Sequence, residues 1–289
     1  MSFSRIGPST SPFVQYLGKS FNYYSHEFWN HQGDPRVSIY PFFTSGPWLT
    51  LTLVALYLVT VKYVGPLWMR DRKPYDLRRL LIVYNLLMVT LSSYLFYQGC
   101  ILLSFGLDTW GCQPINSSDY SPETRHFLNT AWIFFASKLI EFMDTLFFVL
   151  RKKNSHISNL HVIHHSTVPL SVWIGFKFAP GGNNAFFPLL NSGVHMIMYT
   201  YYGLTAIVSG SNGSSNWPRV NQFLRSTKKY LTTLQMGQFI LAIVHGLSTL
   251  AQPDCSFPKS SLAINLGNAI IFLILFYSFY RKAYIKKSN

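Results

Sequence analysis

The sequence predicts an all-α integral membrane protein with about seven transmembrane helices. Three observations carry that prediction. Charged residues make up 12% of the 289-residue chain, against roughly 25% in an ordinary soluble domain. Apolar stretches approaching the ~20 residues needed to cross a bilayer recur along the sequence. The basic residues behind the formal charge of +14 fall in short runs between those stretches. A nucleic-acid binder carries its charge on a soluble domain instead, so no nucleic-acid partner is expected.

Residues 1–46 are polar and contain Gly and Pro, which argues for a lumenal N-terminal segment without a cleavable signal peptide. Candidate spans follow near Pro47–Val64, Leu80–Phe105, Phe127–Leu150 and Leu160–Phe178. Three more lie near Phe186–Val208, Tyr230–Leu250 and Leu262–Tyr280. Histidines and Lys177 interrupt the fourth. Residues 47–281 thus form one seven-helix membrane domain, and 282–289 a tail.

Loop charge sets the orientation. Arg70, Arg72, Lys73, Arg78 and Arg79 follow the first span, and Arg151, Lys152 and Lys153 the third. Arg219, Arg225, Lys228 and Lys229 follow the fifth, and Arg281, Lys282, Lys286 and Lys287 the seventh. The alternate loops hold little beyond Arg125 and Lys259. All basic loops therefore fall on one side, which places them and the C-terminus in the cytosol and the N-terminus in the lumen. The ending Lys286-Lys287-Ser288-Asn289 matches a dilysine retrieval signal of endoplasmic-reticulum membrane proteins, a receptor-read address. An ordinary basic flank explains it equally well. Asn116-Ser117-Ser118 falls in a lumenal loop and can accept a glycan, whereas Asn212-Gly213-Ser214 falls on the cytosolic side and should stay bare.

Cys112 and Cys255 lie in lumenal loops, and Cys100 near the lumenal end of the second span. The oxidising lumen permits a Cys112–Cys255 disulfide. Cys100–Cys112 is the competing pair, and free buried thiols are the third possibility. In this topology no thiol stands near the cytosolic loops to act as a nucleophile there.

Ionisable groups inside a span are costly and point to function. They cluster here. His161, His164 and His165 form an H-x-x-H-H box whose i, i+3, i+4 spacing puts three imidazoles on one helical face. Such a face can bind metal, or supply a nucleophile and proton carriers. Lys138, Glu141 and Thr145 share a face of the third span, with Asp144 at its edge. A structural ion pair accounts for Lys138 with Glu141. The lysine cannot neutralise both carboxylates, so an imidazole partner is expected for one. Asn191, His195, Met198 and Tyr202 form a stripe on the fifth span, which helix–helix hydrogen bonding explains in part. Gln235 and Gln238 open the sixth, as packing contacts or substrate contacts. All these positions can line one cavity opening to the cytosol. Arg151, Lys152, Lys153, Arg225, Lys228 and Lys229 surround its mouth, a rim suited to a polyanionic cosubstrate, although the positive-inside rule alone would supply them.

The segment from Lys138 to Thr145 resembles the K-x-x-E-x-x-D-T motif of the ELO family of very-long-chain fatty acid elongases. Leu160-His161-Val162-Ile163-His164-His165 resembles the family's histidine box, with Ile163 where Tyr is common. Asn191 through Tyr202, including Tyr199, is similar to the family's N-x-x-x-H-x-x-M-Y-x-Y-Y block, and Thr233 through Gln238 to its T-x-x-Q-x-x-Q block. The resemblance implies condensation of a long-chain acyl-CoA with malonyl-CoA to 3-oxoacyl-CoA, carbon dioxide and CoA. It also implies seven helices, six of them enclosing a tunnel closed at the lumenal end, with no metal or other cofactor. Self-association and contact with other enzymes of the elongation cycle are implied as well.

By match to the family's box, His164 is the expected nucleophile. His161 and His165 would orient it or move protons, backed by Asp144 and Glu141. His195 would serve the malonyl half or stabilise negative charge. Lys138, Asn191, Tyr199, Tyr202, Gln235 and Gln238 are the expected substrate contacts. Chain length should depend on tunnel depth and on bulky residues at its closed end, such as those after Thr200 or within Phe272–Tyr280. A membrane di-iron desaturase or hydroxylase is the rival enzyme, but it needs about eight histidine ligands from several boxes, and one box plus His195 is too few. A seven-span receptor or transporter would explain the topology but not the histidine face beside two carboxylates.

Overall fold

The computed structural model describes residues 20–208 and 217–285. Lys286, Lys287 and Asn212 lie outside the described residues, as do 1–19 of the N-terminal segment. The described chain is helical, with no strands. Its main helices are α1 (Trp48–Met69), α2 (Arg78–Leu102), α3 (Pro122–Ile140), α4 (Phe142–Leu150), α5 (Asn159–Phe178), α6 (Phe186–Val208), α7 (Pro218–Leu250) and α8 (Lys259–Tyr280). Among the described residues, α1, α2, α7 and α8 are long and apolar enough to cross a membrane. Only 17–28% of each apolar window is buried within the protein. Leu56, Leu86, Leu87, Ile240, Leu241 and Ile274 are among the large apolar residues facing outward. An apolar exterior of that extent requires lipid around it. The intervening helices α3 to α6 carry Lys138, Asp144, the histidine box and His195.

Local sequence sets the helix starts. Ser121 accepts from the Thr124 amide at 3.2 Å with Pro122 in the first turn of α3, and Ser158 accepts from the His161 amide at 3.2 Å to open α5. The third apolar stretch is not one straight helix. Glu141 tightens to φ −61°, ψ −14° between α3 and α4, at the residue whose side chain is tied to Lys138. Within α5, Pro169 has no amide hydrogen to give the carbonyl of His165. The sixth apolar stretch extends further than hydropathy suggests. Its helix begins at Pro218, so Arg219, Arg225, Lys228 and Lys229 are helical rather than in a loop. Hydropathy registers only the apolar part of such a helix.

Helices α2 and α6 run antiparallel in close contact. Gly193 makes the approach possible, since a Cβ there would stand 2.9 Å from the Phe96 ring. At one end of this pair Arg78 donates to the carbonyls of Ala206 and Ile207 at 3.0 and 2.6 Å. The Tyr75 amide reaches the Leu150 carbonyl, and Lys152 reaches the Arg70 carbonyl at 3.1 Å. These bonds gather the basic segments at one end of the bundle. At the opposite end Cys112 and Cys255 are joined in a disulfide, and Cys100 is buried and free. The N-terminal segment packs near this end: Lys177 donates to the Phe43 carbonyl and Trp173 to the Phe42 carbonyl, each at 2.8 Å.

The disulfide closes a stretch of 143 residues, so its loss releases chain entropy in the unfolded state, with about 2–4 kcal/mol typical. Cys112→Ser and Cys255→Ser should each lower the thermal midpoint of the detergent-purified protein by a similar amount, and the double variant no further. Additive losses would mean that the two thiols stabilise the fold separately.

Candidate active site

The polar interior begins with the face read from the sequence. Lys138 donates to Glu141 Oε1 at 2.6 Å and to Asn191 Oδ1 at 2.8 Å, and its ammonium stands 4.6 Å from the centre of the Phe134 ring. All three polar side chains are buried. A charge in this setting needs every available partner, and α3 and α6 supply them from two sides. His195, one turn along α6 from Asn191, brings Nδ1 to 3.1 Å of the same Glu141 oxygen. The contact is misaligned for a hydrogen bond, and Nδ1 has no other partner among the described residues. Glu141 is therefore the carboxylate that takes the imidazole.

Asp144 takes a phenol instead. Tyr199 donates to Asp144 Oδ2 at 2.8 Å, and Tyr84 packs edge-on to Tyr199. Tyr202 lies beyond, its ring 6.3 Å from that of Tyr199. Among the described residues Asp144 makes no hydrogen bond to a histidine of the box, so support of the box by this carboxylate is indirect.

The box itself is a contiguous layer of rings. His161 and His165 have ring centres 4.3 Å apart, and His165 and His164 are 5.2 Å apart. His161 Nε2 meets Thr145 Oγ1 at 2.8 Å. His164 packs edge-on against Phe272 of α8 at 5.1 Å. One turn further along the same face of α5 is Val168. Val168, Phe239 and Phe272 form one wall of an apolar cavity of about 150 Å³ that extends to Gly181, Asn183 and Leu262. Of the three box histidines, His164 therefore stands nearest to where the cavity begins.

Two expectations change here. The residues after Thr200 do not approach this cavity: Tyr201 bonds the Leu224 carbonyl near the basic end. Of Phe272–Tyr280 only Phe272 lines it. The remaining walls come from α2, α3, α5 and α7 and from the first halves of α6 and α8, because α6 runs away from the disulfide end. The far floor is polar but internally satisfied, with Asn183 donating to the carbonyls of Thr109 and Gly111 at 2.7 and 2.9 Å and His245 bonded to the Thr109 carbonyl at 2.8 Å.

The remaining expected contacts are spread more widely. Gln235 donates to Met198 Sδ at 3.4 Å, and Gln238 is buried with Oε1 unpartnered among the described residues. Lys152 is engaged with the Arg70 carbonyl, and Lys229 covers the Tyr230 ring at 4.9 Å. Arg151, Lys153 and Lys228 surround His156 in the loop between α4 and α5. Desolvation first, then these three cations, hold its imidazole below the usual histidine range. Asn116 is exposed, with its side-chain oxygen accepting from the Ser118 amide at 3.1 Å. Among the described residues no three His, Cys, Asp or Glu side chains converge as a metal-ligand set.

Sequence reasoning missed Tyr57 and Tyr84 as members of the polar layer. Tyr57 of α1 bonds Thr145 Oγ1 at 3.0 Å. Both tyrosines sit in otherwise ordinary apolar spans, and no spacing pattern singles them out.

The fold and site together define a class: a multi-helix membrane protein with a buried histidine–carboxylate layer at the head of an apolar cavity. The particular family follows from comparison. Residues 42–289 match the family described as ELO, GNS1/SUR4. The chain is 41% identical over 263 residues to very long chain fatty acid elongase 7 of Drosophila melanogaster, covering 90% of this chain and 75% of that protein. It is 38% identical over 263 residues to elongase 1 of Mus musculus, covering 90% and 89%. With elongase 4 of Homo sapiens it shares 40% over 254 residues, covering 87% and 76%. The chain belongs to the ELO family.

The Lys138–Glu141 pair offers a direct test of the layer. Lys138→Met strands a buried carboxylate and should destabilise the protein by about 3–5 kcal/mol, seen as a lowered thermal midpoint in detergent. Adding Glu141→Gln removes the stranded charge and should recover part of that loss. A double variant less stable than Lys138→Met would show that the two groups are not an interacting pair.

Proposed function

We propose that this protein is the condensing enzyme of fatty acid elongation, joining a long-chain acyl-CoA to malonyl-CoA to give 3-oxoacyl-CoA, CO₂ and CoA. The observation that carries the reading is the position of His164, between the imidazole of His165 and the Phe272 wall of the apolar cavity. A nucleophile there faces the carbonyl of a chain whose tail fills the cavity. The relatives' names, very long chain fatty acid elongases, support the same substrate class.

The reaction proceeds in two halves. An imidazole nitrogen of neutral His164 attacks the thioester carbon, the C–S bond breaks, and CoA departs as the thiol after taking up the imidazole proton. Malonyl-CoA then enters. Its carboxylate leaves as CO₂, and the bonding pair remains on the thioester enolate. That carbon attacks the acyl-imidazole and forms the new C–C bond, the C–N bond breaks, and the departing imidazole nitrogen takes up one proton from water, which returns His164 to its neutral state. His161 and His165 hold the nucleophile in place. His195, with Nδ1 unengaged by a true hydrogen bond, is placed to serve the enolate half, and Gln238 offers an amide to a carbonyl oxygen. The apolar cavity walls exclude water from the acyl-imidazole.

In this reading seven helices span the endoplasmic-reticulum membrane, six of them around the acyl tunnel. The basic end faces the cytosol, where Arg151, Lys153, Arg225 and Lys228 attract the phosphates of both CoA substrates. The disulfide end and Asn116, a glycan acceptor, face the lumen. Membrane lipid surrounds the helices, and the enzyme self-associates and meets the other enzymes of the cycle.

Incorporation of labelled malonyl-CoA by microsomes carrying the protein is the measurement. The native protein should incorporate label with long acyl-CoA, and His164→Ala should lose at least 100-fold, in line with removal of a covalent nucleophile. Full turnover by His164→Ala would remove that residue from the role. No turnover by the native protein with any acyl-CoA would overturn the reading.

The tunnel makes a second prediction. Gly175 lines the cavity, and a Cβ there would meet nothing closer than Asn184 Nδ2 at 3.9 Å. Gly175→Leu therefore projects into the space for the chain and should shift products to shorter acyl lengths. An unchanged length profile by mass spectrometry would show that the chain runs elsewhere.

A further inference from the structure

Helix α1 contributes one polar contact to the site. The Tyr57 side chain is buried and stacks on Phe142 at 4.5 Å. Its hydroxyl lies 3.0 Å from Thr145 Oγ1, and that oxygen lies 2.8 Å from His161 Nε2. Thr145 is fully buried. Three groups from three helices thus form one hydrogen-bonded file ending on the histidine layer.

Donor and acceptor chemistry gives the file a direction. A buried phenol hydrogen needs an acceptor, and Thr145 Oγ1 is the one within reach. Thr145 Oγ1 then either turns its own hydrogen onto His161 Nε2 or accepts a second bond from the ring N–H, since a hydroxyl oxygen accepts two. An imidazole that accepts at Nε2 is neutral and carries its proton on Nδ1. The reverse direction leaves the Tyr57 hydrogen in an apolar contact with α4. In either arrangement the file fixes the ring plane of His161. His161 stands 4.3 Å from His165, which stands 5.2 Å from His164, so the orientation is passed through ring contacts to the nucleophile.

We propose that Tyr57 is a positioning residue for the condensation reaction, acting through Thr145 to set the orientation of His161. The inference rests on the reading of His164 as the nucleophile. It gives α1 a role in the chemistry besides crossing the membrane. Tyr57 does not touch substrate, so its effect falls on kcat rather than on acyl-CoA binding.

The test is steady-state condensation by the full-length protein carrying Tyr57→Phe, Thr145→Val, both together, or Thr145→Ser. Tyr57→Phe keeps the ring that packs on Phe142 and removes only the hydroxyl. It should lower kcat about tenfold, the scale of one buried hydrogen bond, with KM for acyl-CoA and the thermal midpoint unchanged. Thr145→Val should cost at least as much, and Thr145→Ser should restore turnover. Because the two hydroxyls act in series, the double variant should be no slower than Thr145→Val alone. Native kcat in Tyr57→Phe would overturn the proposal, as would losses that multiply in the double variant. His164→Ala is measured alongside. If it retains turnover, the nucleophile reading fails; if it is inactive while Tyr57→Phe is native, only the role of Tyr57 fails.

Discussion

The ion pair of Lys138 and Glu141, 2.6 Å apart and almost fully buried, is the constraint on which the rest of the interior depends. Two opposite charges in an apolar interior repay their lost hydration only when their remaining donors and acceptors are also met. Lys138 therefore draws Asn191 from α6, and Glu141 draws His195 from one turn along the same helix. Those contacts fix how far α6 can slide or turn against α3. Once that register is set, neighbouring positions have little freedom. Asp144 comes opposite Tyr199, and Thr145 comes opposite His161.

The polar layer so fixed divides the bundle into two unlike halves. Toward the basic end, Arg151 and Lys153 of the loop after α4 and Lys228 of α7 crowd His156, with Lys153 and Lys228 exposed to water. Toward the disulfide end, the apolar cavity begins at Phe272 and Val168 and ends on a floor whose amides bond to backbone carbonyls. This order suits a reaction between a charged carrier and a long apolar chain. In the function proposed above, the carrier would stay at the wet mouth, the chain in the dry cavity and the reacting carbonyl at the boundary. Pro169 adds a local feature: without its amide hydrogen, the His165 carbonyl is released from the helix ladder inside the layer.

Polar groups at the far end are treated differently from those at the site. Lys177 reaches the Phe43 carbonyl, and Arg36 pairs with Asp34 at 2.7 Å while donating to the Asn116 carbonyl. Each cation there has local acceptors that satisfy it. In the histidine–carboxylate layer, His195 Nδ1, Gln238 Oε1 and the Tyr84 hydroxyl are left without a hydrogen-bond partner among the described residues, as is Thr50 Oγ1 of α1. Unmet polar atoms are costly, and three of these four belong to the interior around the histidine–carboxylate layer.

The sequence by itself determined the helical membrane class, the family, and the charged and histidine residues of the polar layer, because each is written in local pattern. Long apolar runs, basic flanks, and histidines at i, i+3 and i+4 need no partner to be recognised. Lys138 with Glu141 was legible for the same reason, being two positions on one helix face. Pairings between helices were not legible. Asp144 with Tyr199, His195 with Glu141, and Tyr57 with Thr145 depend on helix rotation and depth, which no single segment encodes. The cavity walls were misplaced on residues after Thr200 because the direction and tilt of α6 decide which half faces the chain. The start of α7 at Pro218 was hidden because a basic helical turn outside the apolar run looks like a loop to hydropathy. Tertiary packing decided these features, since each is a contact between surfaces whose shape and register exist only once the helices have docked.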